Sequence, residues 1–130
     1  MITEENCFEF ILKVEPEFLL PLSNHMEEWG ADSNTHSKMS VFSDFFEEKI
    51  SQGNYSKVEE VLAAIEHLLV EDNSDKEVKE AVCTCFLENL INFASNQRIP
   101  YESFVPFLGK QSREFCRSWD KFTGVKTPGL

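Results

Sequence analysis

The sequence predicts an all-α protein, and two observations support that prediction. Apolar residues recur with helical spacing in several segments, and no segment shows the apolar–polar alternation of a half-buried strand. A length of 130 residues and a 42% apolar content that includes twelve Phe suit one domain with a real core. We therefore expect a single helical domain over residues 1–130, folded as a bundle or a stack of antiparallel helical hairpins, with 124–130 as a frayed tail.

The clearest helix is the segment SKVEEVLAAIEHLLVE, residues 56–71. Its apolar residues form one stripe with spacings of three and four, which is the mark of an amphipathic helix. Ser56 with Glu59 predicts a capping box at its start, and Gly53-Asn54 predicts a turn before it. The stripe consists of Val58, Val61, Leu62, Ile65, Leu68 and Leu69.

Four more helical regions follow from the same reasoning. We expect a central helix over 75–94, begun by a second capping box of Ser74 with Glu77, and a helix over VFSDFFEEKISQG, residues 41–53. The first 30 residues predict two shorter helices broken at Pro16, with Pro21 as a second candidate break. A last helix over 110–122 should turn Phe115, Trp119 and Phe122 inward, and ADSNTHSKMS, residues 31–40, is predicted to be a polar loop.

Charge is unevenly distributed along the chain. The net charge is −11, and residues 1–97 carry 20 acids against 6 bases while residues 98–130 carry 3 acids against 6 bases. An acidic body repels nucleic acid and anionic membranes and attracts cationic partners. No run approaches the ~20 apolar residues of a membrane span, and the acidic start MITEENCFEF does not resemble an export signal, so we expect a cytoplasmic protein.

No motif of enzyme or metal chemistry is present. The four cysteines (Cys7, Cys83, Cys85 and Cys116) form no CxxC pair and fit small buried apolar residues in a reducing compartment. None of the three histidines follows a Glu by three positions, as a di-iron bundle requires, and neither GxSxG nor a P-loop occurs. The sequence therefore predicts no catalytic residue, cofactor or metal ligand. A carboxylate metal site outside known motifs and an enzyme without a recognisable motif are the less favoured alternatives.

A basic stripe lines the last predicted helix, where four cations recur with spacings of three and four. These cations could contact phosphates. Because residues 1–97 are strongly acidic, we favour the interpretation that the stripe docks onto the rest of the same protein. The stripe consists of Lys110, Arg113, Arg117 and Lys121.

Several acids have no evident structural purpose. Glu71 and Asp72 fall at a predicted helix C-terminus, where the macrodipole disfavours them, whereas Asp75 and Glu77 fall at a helix N-terminus, where it favours them. Together with three acids on one face of helix 41–53 they predict an electronegative docking surface. Its members are Asp44, Glu47, Glu48, Glu71, Asp72, Asp75 and Glu77.

The hairpin SKVEEVLAAIEHLLVEDNSDKEVKEAVCTCFLENL, within residues 41–95, resembles small helical immunity proteins of bacterial contact-dependent inhibition systems. The apolar helix ending in IEHLL, the acidic turn and the helix closing in FLENL carry the resemblance. It implies an immunity protein that neutralises the toxin domain of a sister effector, commonly a cationic nuclease. We therefore expect a non-catalytic protein that occludes a basic toxin, with a ribonuclease as the leading candidate. An acidic helical-repeat adaptor for another cellular protein is the alternative.

Overall fold

The computed structural model describes all 130 residues and contains seven α-helices and no β-sheet. A π-helical turn, Cys83–Leu87, joins α5 to α6 in one continuous helix, and the only extended pairing is a single bridge between Ile2 and Ser74. The all-α prediction is thus confirmed. The helices are α1 Cys7–Val14, α2 Leu19–Trp29, α3 Thr35–Ser51, α4 Val58–Leu69, α5 Lys76–Val82, α6 Glu88–Ser95 and α7 Lys110–Thr123.

Contacts between side chains give the directions of the helices. His25 on α2 approaches Ser37 near the start of α3, while Glu17 just before α2 pairs with Lys49 near the end of α3, so α2 and α3 are antiparallel. The predicted hairpin arrangement holds for this pair.

The α3 helix instead runs parallel to the long α5–α6 helix. His36 at the start of α3 faces the first turns of α5, and Glu47 near the end of α3 pairs with Arg98 just beyond α6. Since α4 follows α3 and precedes α5 along the chain, it is the return segment that makes this parallel pairing possible.

Helix α3 begins earlier than predicted, within the segment 31–40 that we expected to be a loop. The Asn34 side chain accepts a hydrogen bond from the Ser37 backbone N at 2.9 Å, and the Ser37 hydroxyl accepts one from the Asn34 backbone N at 2.9 Å. This reciprocal cap uses Ser at the position where a capping box usually has Glu or Gln, so the usual signature does not detect it. Met39 then extends the buried stripe of Phe42 and Phe46 back by one turn.

Both predicted Ser capping boxes are wrong. Helix α4 starts after Lys57 with no side-chain cap. Before α5, the bridge to Ile2 holds Ser74 in extended pairing, so the next residue becomes the cap: the Asp75 carboxylate accepts a hydrogen bond from the Val78 backbone N at 3.0 Å.

Stacked and edge-on Phe rings form the centre of the core. Phe42 and Phe46 of α3 each lie 5.4 Å from the Phe86 ring, and Phe18 meets Phe42 edge-on at 4.8 Å. All four rings are fully or almost fully buried, which stabilises the fold by roughly 2–3 kcal/mol for each ring. Because Phe86 lies in the π-helical turn, that turn fixes how α5–α6 packs against α3.

The chain end differs from the frayed tail that the sequence predicts. Residues 124–130 form no helix, but Asp120 accepts hydrogen bonds from the backbone N of Thr127 at 2.7 Å and from its hydroxyl at 2.8 Å. Thr127 is buried as a result. Phe122 is 82% exposed, contrary to its predicted inward position, and Cys116 takes the buried position on α7.

No helix of the protein has both the length and the apolar character that crossing a membrane requires.

Candidate functional site

Two acids that look like ordinary surface residues in the sequence are structural. The Glu66 carboxylate reaches from α4 to the start of α7 and accepts hydrogen bonds from the backbone N of Gln111 at 2.8 Å and of Ser112 at 3.0 Å. The Ser112 hydroxyl donates a third at 2.9 Å. Glu66 therefore caps a helix 45 residues away in sequence, and its charge also suits the positive end of the α7 dipole.

The second structural acid is Glu15, which is fully buried between α1 and α2. Its carboxylate accepts a hydrogen bond from the Tyr55 hydroxyl and one from the Glu17 backbone N at 3.2 Å, and Lys57 Nζ lies 3.9 Å away. Burial, and then the bond to Glu15, raises the pKa of Tyr55 far above its usual range, so the phenol remains a proton donor. The negative charge of Glu15 is thereby compensated inside the fold, and the residue takes no part in a surface site.

The three predicted site acids on α3 do not form one exposed group. Glu47 is buried and its carboxylate pairs with Arg98 at 3.0 Å, so assigning it to a docking surface is wrong. Asp44 is exposed, and partial desolvation raises its pKa while nearby Arg98 opposes the rise. Glu48 is exposed and accepts a hydrogen bond from Gln52 at 3.4 Å. Arg98 thus neutralises part of the negative charge on this side of α3.

The other four predicted acids lie at one end of the bundle. The backbone of Ile2 bonds to Asn73 at 2.7 Å and to Asp75 at 2.9 Å, which brings the N-terminal residues against the turn between α4 and α5. Glu4 accepts a hydrogen bond from the Thr35 hydroxyl at 2.9 Å, which ties the same residues to the start of α3. We call the resulting surface the acidic end; its acids are Glu4, Glu71, Asp72, Asp75, Glu77 and Glu80.

Most of the acids at the acidic end have no ion-pair partner. Lys76 forms the one ion pair there, with Glu80 at 3.7 Å, and both partners are exposed. Asp75 is engaged as the α5 cap, whereas Glu71 and Asp72 are exposed and unpaired. Asp72 has a φ of 70°, a left-handed conformation that costs most residues energy and that Asp and Asn tolerate.

The acidic end and the exposed α3 acids are separate surfaces. Asp44 lies eight residues beyond His36 on α3, which corresponds to roughly 12 Å along the helix axis. The seven predicted residues therefore divide into a compact group around the α4–α5 turn and a weaker group beside Arg98.

An apolar surface on α2 escaped the sequence analysis. Leu22 is the only buried residue of this helix, whereas Leu19, Leu20, Met26 and Trp29 are 55%, 68%, 47% and 54% exposed. Leu19, Met26 and Trp29 fall on one side of the helix at spacings of seven and three, and we call these three residues the α2 face; Leu20 lies on another side. Exposed apolar groups of this kind mark interaction sites on many proteins. The signal was present in the sequence, because LLPLSNHMEEW has more apolar residues than one buried stripe can use.

A family model matches residues 8–124 and is described as a domain of unknown function, DUF7674. The chain belongs to the DUF7674 family. The match includes the α2 face and the α4–α5 turn of the acidic end, and it leaves out Glu4 and the last six residues. No curated protein and no solved structure gives a significant match.

One Ser–His pair in the DUF7674 domain has the spacing of a catalytic dyad. His25 Nε2 lies 3.1 Å from the Ser37 hydroxyl oxygen. The Ser37 hydroxyl is also placed to donate to the Asn34 carbonyl at 3.0 Å as part of the α3 cap, so this carbonyl competes with the histidine for its proton. A general base would have to accept that proton, and this geometry therefore supports capping rather than nucleophilic catalysis.

Three of the four cysteine thiols are also poor nucleophiles. Burial raises the pKa of Cys7 and of Cys83 to about 11 and that of Cys116 to about 12. All four cysteines are free, and a protonated thiol neither attacks a substrate nor binds a metal well.

The basic stripe divides in the structure. Arg113 donates to the carbonyls of Leu108 at 3.0 Å, Val105 at 2.8 Å and Gly129 at 3.1 Å, so it holds the tail and the preceding loop against α7. This is the intramolecular docking favoured for the stripe. The other three members, Lys110, Arg117 and Lys121, are exposed and form no ion pair.

Proposed function

We propose that this DUF7674 domain is a non-catalytic, cytoplasmic binding protein whose acidic end docks onto a basic protein. In the specific form that the hairpin resemblance suggests, the partner is a cationic toxin domain such as a ribonuclease, and docking protects the producing cell. Inhibition then works by occlusion, because carboxylates occupy the positions at which toxin Lys and Arg side chains would pair with substrate phosphates.

The observation that carries the proposal is the uncompensated charge on the α4–α5 turn. Glu71 and Asp72 follow α4 at its C-terminal end, where an acid opposes the helix dipole by roughly 0.3–1 kcal/mol. Neither residue forms an ion pair, although the same protein gives Glu15 and Glu47 a cationic partner. Acids kept where they destabilise the free protein are expected where a partner supplies the missing positive charge.

The test compares two variants that remove the same charge from different places. The variant Glu71→Gln/Asp72→Asn discharges the turn, and Asn suits the left-handed backbone at position 72. The control Glu27→Gln/Glu28→Gln removes two exposed charges from α2. Basic proteins retained by the wild type in its native cell extract are identified by mass and purified, and their association rates and nuclease activities are measured.

We expect the turn variant to slow association by about three- to tenfold at low salt and to flatten its dependence on ionic strength. The α2 control should associate nearly as fast as wild type, and both variants should unfold at about the wild-type temperature. Equal slowing by the two variants would mean that only total charge matters and that the acidic end is not the docking surface.

The alternative function, an adaptor for another cellular protein, is favoured by the α2 face. Docking there would be driven by apolar burial and would depend weakly on salt. The variant Leu19→Ser/Met26→Ser distinguishes the two functions, because it should abolish adaptor binding and leave association through the acidic end unchanged. Both side chains are exposed, so the fold should tolerate the change.

A further inference from the structure

Three metal-binding side chains from two helices meet at the edge of the acidic end. His36 is the second residue of α3, and Glu77 and Glu80 lie one turn apart on α5. One ligand atom from each of the three lies within 4.8 Å of the other two. No sequence motif marks this site, because His36 lies 41 positions before Glu77 and 44 before Glu80, and the three residues follow no known metal-binding spacing.

We propose that His36, Glu77 and Glu80 bind a divalent transition-metal ion, with Zn²⁺ as the best match. One imidazole nitrogen and two carboxylate oxygens suit this borderline ion, whereas Ca²⁺ and Mg²⁺ prefer oxygen ligands alone. Three protein ligands leave coordination positions for water or for a group from a second molecule.

The three side chains can close onto an ion with small rotations. Bonds of about 2.0–2.2 Å place the ligands of a tetrahedral ion roughly 3.4 Å apart, and the three ligand atoms here already lie within 4.8 Å of one another. Both glutamates are exposed, so nothing packed around their carboxylates resists the movement. The backbone supplies the rest of the geometry, because parallel packing of α3 against α5 sets the His36 ring beside two carboxylates in consecutive turns.

Few interactions compete with an ion for these side chains. His36 and Glu77 form no ion pair, and Glu80 pairs only with the 85% exposed Lys76. An exposed pair of this kind contributes at most about 1 kcal/mol, so the ion can displace the lysine. Three of the four cysteines are weak competitors for the ion, because burial raises the pKa of the thiols of Cys7, Cys83 and Cys116.

The experiment titrates the full chain with ZnCl₂ by calorimetry in a buffer that does not bind metals, and then with Co²⁺ by absorption spectroscopy. We expect one saturable site per chain, which His36→Gln and Glu80→Gln should each weaken by about tenfold or more. The controls His67→Gln and Glu59→Gln remove one exposed histidine and one exposed acid from outside the site, and should bind within about twofold of wild type. The Co²⁺ spectrum should lack the charge-transfer absorption of a thiolate ligand.

Three outcomes would overturn the proposal: no saturation up to about 1 mM Zn²⁺, equal binding by His36→Gln and wild type, or a thiolate signal from Co²⁺. Because no partner protein is present, this result is independent of the proposed docking function. Circular dichroism of each variant distinguishes loss of a ligand from loss of the fold.

Discussion

The contact between Glu66 and the start of α7 leads to a prediction about two residues that lie far apart in sequence. Gly109 immediately precedes α7, and a Cβ atom at this position would overlap the Glu66 carboxylate and the carbon beside it. A free glutamate would rotate away at little cost. Here three hydrogen bonds to Gln111 and Ser112 hold the carboxylate, so any displacement breaks them.

The expected magnitudes follow from these contacts. Hydrogen bonds to a charged group contribute about 1.5–3 kcal/mol each when they are counted singly, but water can replace part of them at a helix end. We therefore expect Glu66→Ala to cost about 2–4 kcal/mol in all. Gly109→Ala should cost a similar amount, because it displaces the same carboxylate and also replaces an N-cap glycine by the poorer Ala.

The two changes should not add. Once Glu66 is Ala, the overlap disappears, and Gly109 has a φ of −78° that alanine adopts without strain. In that background Gly109→Ala should cost only the about 0.5–1 kcal/mol difference between the two caps. The interaction energy between the two sites should therefore be about 1–3 kcal/mol, which is typical of residues in direct contact.

Urea unfolding of the wild type, both single variants and the double variant, followed by circular dichroism, measures this cycle. Additivity within about 0.5 kcal/mol would refute the reasoning, because it would mean that Glu66 and Gly109 act independently. A small cost for Glu66→Ala alone would show that solvent already satisfies the start of α7.

Three further predictions concern the fold. Asp75→Ala should lower the free energy of unfolding by about 1 kcal/mol, because it removes the cap of α5. Ser74→Ala removes a buried hydroxyl without a partner and should therefore leave stability unchanged or raise it; the urea midpoints of both variants test this. Cys7 and Cys116 should resist a thiol reagent at pH 8 until urea unfolds the protein, since their pKa values are about 11 and 12. Phe86→Ala should cost about 3–5 kcal/mol, seen as a lower unfolding temperature.

Local patterns were sufficient to predict the helices that have a strong apolar stripe. Helix α4 occupies 58–69 inside the predicted 56–71, and the continuous α5–α6 helix ends within one residue of the predicted 94. The helical spacing places Val61, Leu62 and Ile65 on one face, and all three are buried. Pattern reasoning succeeds here because burial of that face is the main term that stabilises each helix.

Contacts between distant segments account for the errors. The cap of α5 is Asp75 and not the predicted Ser74, because the N-terminal residue Ile2 pairs with Ser74. The spacing of Phe122 predicts an inward position, yet Glu66 orients α7 at its start and the helix buries Cys116 instead. No window of neighbouring residues contains either partner.

The same limit applies to the candidate site. The sequence correctly places Glu71 and Asp72 after a helix, which is local information, and the structure finds both unpaired. Glu47 resembled them in sequence, but its partner Arg98 lies 51 positions later. Whether an acid is available for binding depends on where the few cations fall in three dimensions, and that is not readable from spacing.

The way the acids are used argues against a role for the acidic end in solubility alone. Solubility depends on net charge and is indifferent to which surface carries it. Glu15, Glu47 and Glu66 all have partners inside the fold, and these contacts fix the start of α2, the end of α3 and the start of α7. Glu71 and Asp72 instead lie at the end of a helix that disfavours them, in a turn that is paired to the N-terminal residues. No contact within the fold accounts for their positions, which agree with the proposed docking of the acidic end onto a basic protein.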